Sequence, residues 1–191
     1  SMRLHVLVRF GKWQEILDEP FPQDRLFYCN TTAMLHYARG IAFSAAGNVE
    51  DAEQERLLFQ EVAAQVPEER YIFNNTCIDV LEIAGEMLNG ELEYRKGDYD
   101  VAFAHLRQAV HLDDNLAYAE PWGWMHPTRH ALGALLLEQN RIEEAAAVYR
   151  ADLGLDNTLS RPAQHPDNVW SLHGYEESLR RMGKTEEADV I

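Results

Sequence analysis

Cysteine is scarce in this chain of 191 residues, where only Cys29 and Cys77 occur. Two thiols that far apart form neither a disulfide framework nor a paired-thiol metal knuckle, so reduced, partly buried cysteines in a cytoplasmic protein are the expectation. Basic residues are short too, 17 Lys and Arg against 32 Asp and Glu, for a formal charge of −15. A field of that sign repels a phosphate backbone and argues against nucleic acid. It fits solvated helix faces, with attraction of a basic partner segment as the alternative. No apolar run nears the ~20 residues needed to cross a bilayer, so no membrane contact is expected. No secretory leader is visible either. Ser1-Met2 reads as a tag junction, so the native amino terminus and any targeting segment are expected to lie upstream.

Catalytic signatures are also missing. The chain holds no Gly-x-Ser-x-Gly elbow, no His-Glu-x-x-His pair and no glycine loop for phosphate, and Cys77 has no neighbouring sequence that would activate it. A non-enzymatic protein without a cofactor is the expectation. Two Asn-x-Thr triplets, Asn30-Thr31-Thr32 and Asn74-Asn75-Thr76, sit where helices should begin, and N-capping accounts for them better than glycosylation.

What is present is a repeat. Three marks recur in order: a small residue, a Gly or Asn seven positions on, and an Ala five beyond that. They are Gly40/Gly47/Ala52, Gly90/Gly97/Ala102 and Gly133/Asn140/Ala145, then Glu176/Gly183/Ala188 with the first mark changed. Small residues at the first and third marks let two helices approach, and Gly or Asn between them suits a left-handed helix end. This pattern resembles the tetratricopeptide repeat, a helix-turn-helix of about 34 residues. The resemblance implies an all-α, right-handed solenoid of antiparallel helix pairs, about four and a half repeats long. A partial repeat at 3–20 precedes repeats near 31–66, 72–114, 126–158 and 168–191, all in one domain and a fragment of a longer array. The spacing predicts helices at 3–9, 12–18, 31–46, 49–65, 72–96, 99–112, 127–139, 142–154, 168–182 and 185–190, and no strand. The first of these is expected to show an apolar face that a preceding repeat would cover.

Successive turn marks lie 50, 43 and 43 residues apart (97−47, 140−97, 183−140), so each junction carries an insertion. The insertions are 67–74, 115–125 and 159–167, and in a regular stack they share one edge, which often is the binding edge. The run from Tyr118 through Pro121-Trp122, Arg129-His130, Tyr149-Arg150 and Asp152-Leu153 to Asn168, Trp170-Ser171-Leu172 and Gly174 is similar to the C-terminal part of a group of uncharacterised tetratricopeptide proteins of bacteria and fungi. That likeness extends to "HVLVRFGKWQEIL" and "HYARG" and implies a fold and a larger parent, but no activity.

Counting back from each turn mark gives the columns expected to line the concave wall. The first is Tyr37, Met87, His130 and His173. The second is Ile41, Glu91, Ala134 and Glu177, and the third is Ser44, Tyr94, Leu137 and Arg180. The combination of lysines, arginines and asparagine with which chaperone-binding repeats clamp a carboxylate is absent from them, Arg180 being the one lysine or arginine in the three columns. Trp122 and Trp124, two apart in a Pro/Gly loop, would face one side if extended, either as a lid on the groove or as a plug between repeats. Three functions stay open. The first is a non-enzymatic scaffold binding a protein or peptide through Tyr37, Met87, Glu91, Tyr94, His130, His173, Glu177, Arg180, Trp122 and Trp124. The second is a divalent-metal or small-molecule site at His130, His173, Glu91 and Glu177, whose N and O donors suit borderline metals. The third is a structural module that self-associates through its exposed repeat ends.

Overall fold

In the computed structural model, which describes residues 2–191, the apolar periodicity becomes ten α-helices among the described residues. They are α1 (Met2–Arg9), α2 (Trp13–Leu17), α3 (Cys29–Ala45), α4 (Val49–Ala63), α5 (Cys77–Lys96), α6 (Tyr99–Asp114), α7 (Arg129–Glu138), α8 (Ile142–Asp152), α9 (Val169–Arg181) and α10 (Thr185–Ala188). The fold is therefore all-α, apart from a 3-10 turn at Arg161–Ala163 and one minimal hairpin pairing β1 (Tyr71–Ile72) with β2 (Asn75–Thr76). No helix among the described residues is long and apolar enough to cross a membrane.

The hairpin corrects the expectation that the fifth helix starts at residue 72. Phe73 takes a positive φ of 55°, which a helix cannot absorb, and Thr76 closes a capping box. Its hydroxyl accepts from Asp79 N at 3.1 Å, while the Asp79 carboxylate accepts from Thr76 N at 3.3 Å. The N-cap reading of the second Asn-x-Thr triplet is met by Thr76. At the first triplet it is not, because Asn30 lies inside the opening turn of α3, behind Tyr28.

Two compact units make up the chain, one ending at His126 and the other running Pro127–Ile191. The first contains α1 to α6 and the second α7 to α10. In both, the four turn marks take positive φ: 76° at Gly47, 89° at Gly97, 59° at Asn140 and 78° at Gly183. The third-mark alanines Ala52, Ala102, Ala145 and Ala188 are buried. The first-mark glycines are buried by necessity, since a Cβ on Gly40 would lie 2.7 Å from Leu88 and one on Gly90 would lie 2.6 Å from Leu106. In the second unit a single ring does this twice. Tyr149 of α8 lies against Gly133 of α7 and Gly174 of α9, and a Cβ at either glycine would penetrate it. Each fully buried Leu or Ile in such seams contributes roughly 1.5–3 kcal/mol, and Ile83, Leu88, Leu92 and Leu106 supply it in the first unit.

Candidate functional site

In the first unit the expected inner column is covered by the chain itself. Tyr37 is 1% exposed, and Met87 and Tyr94 are also buried. The Trp124 ring meets Tyr37 edge to face at 5.6 Å between centroids and meets His5 of α1 at 4.7 Å. Burial, with the nearby Glu91 carboxylate adding to it, pushes the Tyr37 phenol well above its ordinary range, so it stays protonated. Glu91 is itself held by Arg95 at 2.8 Å along α5. Trp122 does not share the position of Trp124. One ring is 43% exposed and the other 1%, so the expectation that both face one side fails, because the loop turns at Gly123 instead of running extended.

Asn75 anchors that loop. Its side-chain amide donates to Ala117 O at 2.9 Å and accepts from Ala117 N at 2.7 Å, imitating a strand pairing with a side chain. Beside it Asn74 donates to Tyr118 O at 2.6 Å. The connections at 67–74 and 115–125 are thus joined along one edge of the unit. The connection before α3 reaches the same edge through Arg70, whose guanidinium stacks over Phe27 at 5.2 Å. Along this edge Leu26, Phe27, Tyr28, Tyr71, Phe73 and Tyr118 are each about half exposed or more. Deeper in the unit Glu55 accepts from His36 Nδ1 and Arg39 Nε, both at 2.6 Å. Burial alone would raise this carboxyl, but the two hydrogen bonds together outweigh it and hold Glu55 ionised. Cys29 and Cys77 are free and buried, and burial raises the Cys77 thiol, with Cys29 a second contributor.

The second unit is organised around Asp152, which is fully buried at the end of α8. Its carboxylate accepts from Ser171 Oγ at 2.6 Å, His165 Nδ1 at 2.9 Å and His130 Nε2 at 3.2 Å. Its main-chain carbonyl accepts from His165 N at 2.7 Å. Burial opposes ionisation, yet the three donors win together and hold the carboxyl far below its ordinary range. His130, expected in an open groove, is 7% exposed and stacks parallel to Trp170 at 6.5 Å. His173 is exposed on α9, Glu177 pairs with Arg181 at 3.4 Å, and Arg180 binds Glu176 and Asp189. Arg181 also donates to Leu137 O and Asn140 Oδ1, both at 3.0 Å, closing the C-terminal end of α7.

The four side chains considered for a divalent metal are thus spread over separate arrangements, and among the described residues no group of three His, Cys, Asp or Glu is placed to hold an ion. Sequence reasoning passed over Asp152 and Asn75. Asp152 left a signal, since Ala145, Tyr149 and Asp152 follow the 4-then-3 spacing of one buried face and an acid there demands donors. Asn75 left none, because its partner is 42 residues away. No family model, curated protein or solved structure matches this chain.

Proposed function

We propose that the chain is a tetratricopeptide-type helical array that serves as a non-enzymatic protein-binding scaffold, and that it binds through the insertion edge of its first unit. The observation that carries this reading is the clustering of exposed apolar side chains on three connections linked to one another: Leu26 to Tyr28, Tyr71 with Phe73, and Tyr118 with Trp122. Isolated exposed hydrophobics are ordinary, but several aromatic side chains exposed on connections that are tied to one another fit a contact surface, where Tyr, Phe and Trp bury large areas at small entropic cost. The inner column supports the same choice by contrast, since Tyr37, Met87 and Tyr94 are covered by the chain's own residues. The formal charge of −15 favours a basic partner segment, and the exposed apolar side chains favour aliphatic residues on it.

A displayed random-peptide library panned against the purified chain tests this. Selected peptides should be rich in aliphatic and basic residues and should lose at least about tenfold in affinity, or 1.4 kcal/mol, to Phe27→Ser/Tyr71→Ser/Phe73→Ser, while His173→Ala/Arg180→Ala binds normally. Peptides that bind the edge variant unchanged, or that depend on His173 and Arg180, would refute the edge.

A further inference from the structure

Between α1, α3 and the two joined insertions of the first unit lies a cavity of about 140 Å³ whose lining includes Met2, His5, Met34 and Met125, with Phe73 and Gly123 beside them. We propose that this cavity binds a soft monovalent cation, Cu(I) in a cell, through the thioethers of Met2, Met34 and Met125 and the imidazole of His5.

Three of the chain's five methionines meet at this one small space, together with a histidine. The histidine is 4% exposed and its Nδ1 makes no hydrogen bond, and the same holds for Nε1 of the adjoining Trp124, which is 1% exposed. Buried polar nitrogens normally find a partner, and an unpartnered imidazole nitrogen beside a cavity is available to a ligand. Edge-to-face contacts with Trp124 at 4.7 Å and His126 at 5.2 Å fix the plane of the ring. Thioethers are neutral, soft donors that favour Cu(I) and its analogue Ag(I) over Zn²⁺, which takes thiolate, imidazole or carboxylate. A uniformly neutral donor set also suits a single positive charge better than two in an apolar surround. Met2 is 57% exposed while Met34 is 1% exposed, so the donors run from solvent to the interior and provide an entry path.

The test uses Ag(I), which avoids copper redox chemistry, on the full chain carrying ¹³C-methyl methionine in chloride-free buffer. Cys29 and Cys77 are stronger ligands, so the titration is run both on the unaltered chain, continued past the thiol equivalents, and on Cys29→Ala/Cys77→Ala. The methyl signals of Met2, Met34 and Met125 should shift together and saturate with one further equivalent, while Met87 and Met182 stay still. Met34→Leu/Met125→Leu, which conserves volume, should weaken binding at least tenfold, and Zn²⁺ should leave all five signals in place. The assignment is overturned if the three signals move independently or along with Met87 and Met182, if the double variant binds equally well, or if Zn²⁺ reproduces the shifts.

Discussion

Asp152→Ala is the most informative perturbation of the second unit. The carboxylate is fully buried and is the common acceptor for Ser171, His165 and His130, so truncation removes three charge-assisted hydrogen bonds at once. Breaking one side of such a buried arrangement costs about 3–5 kcal/mol. With the 191-residue chain unfolding as one cooperative whole, each kcal/mol moves the melting temperature by about 2–4 °C, which predicts a drop of about 6–20 °C. Asp152→Asn keeps the shape and part of the hydrogen bonding but loses the charge, and should fall between the two. The pH dependence separates charge from packing. Because the folded carboxyl titrates below its ordinary value of 3.8, its stabilisation is complete above that value and drains as pH falls toward the folded value. The gap between the unaltered chain and Asp152→Asn should therefore be flat from neutral pH down to about 4 and narrow further into acid. Scanning calorimetry across that range reads both quantities. A melting temperature for Asp152→Ala within about 2 °C of the unaltered chain, or a gap to Asp152→Asn that ignores acid, would refute the reasoning.

Gly174→Ala should destabilise by about 2–4 kcal/mol because its Cβ would enter the Tyr149 ring, whereas Gly47→Ala meets nothing within 4 Å and should cost only about 1 kcal/mol of left-handed strain; chemical denaturation that ranks them in reverse would refute the packing argument. Asn75→Ala should raise amide exchange at Ala117 and its neighbours in 115–125 by at least about tenfold while α5 and α6 keep their protection, and unchanged exchange there would show that the loop is held by other contacts. Since the folded His5 titrates at about 4 against an ordinary 6.5, the unfolded chain takes up its proton first, so the chain should lose up to about 3 kcal/mol as pH falls from 6.5 to 4. His5→Phe should flatten that limb of the stability curve, and an identical slope in the two proteins would count against a buried neutral imidazole.

The helices were largely legible because their ends depend on local chemistry. Gly47, Gly97, Asn140 and Gly183 each need a left-handed conformation, and each ends a helix where the spacing put it. The first-mark glycines and third-mark alanines were legible for a similar reason, since close helix approach leaves little choice of side chain. The connections were not, because their course depends on partners far along the chain. Nothing near Asn75 announces Ala117, and the spacing alone predicts helix from residue 72, through most of the hairpin at 71–76. The inner columns show both sides of this limit. Spacing put Tyr37 and His130 on particular helix faces, but it could not say that Trp124 covers one or that Asp152 engages the other. Asp152 lay between these cases, its stripe visible and its donors not.

The placement of Tyr149 between two backbones bears on how freely such units can be exchanged. Because its ring fills the space that a side chain on Gly133 or Gly174 would need, α7, α8 and α9 form one three-part lock. A helix pair grafted into this position from another helical protein would have to bring its own large residue together with two empty facing positions, so the smallest transplantable block here is three helices and not the two that the sequence spacing suggests.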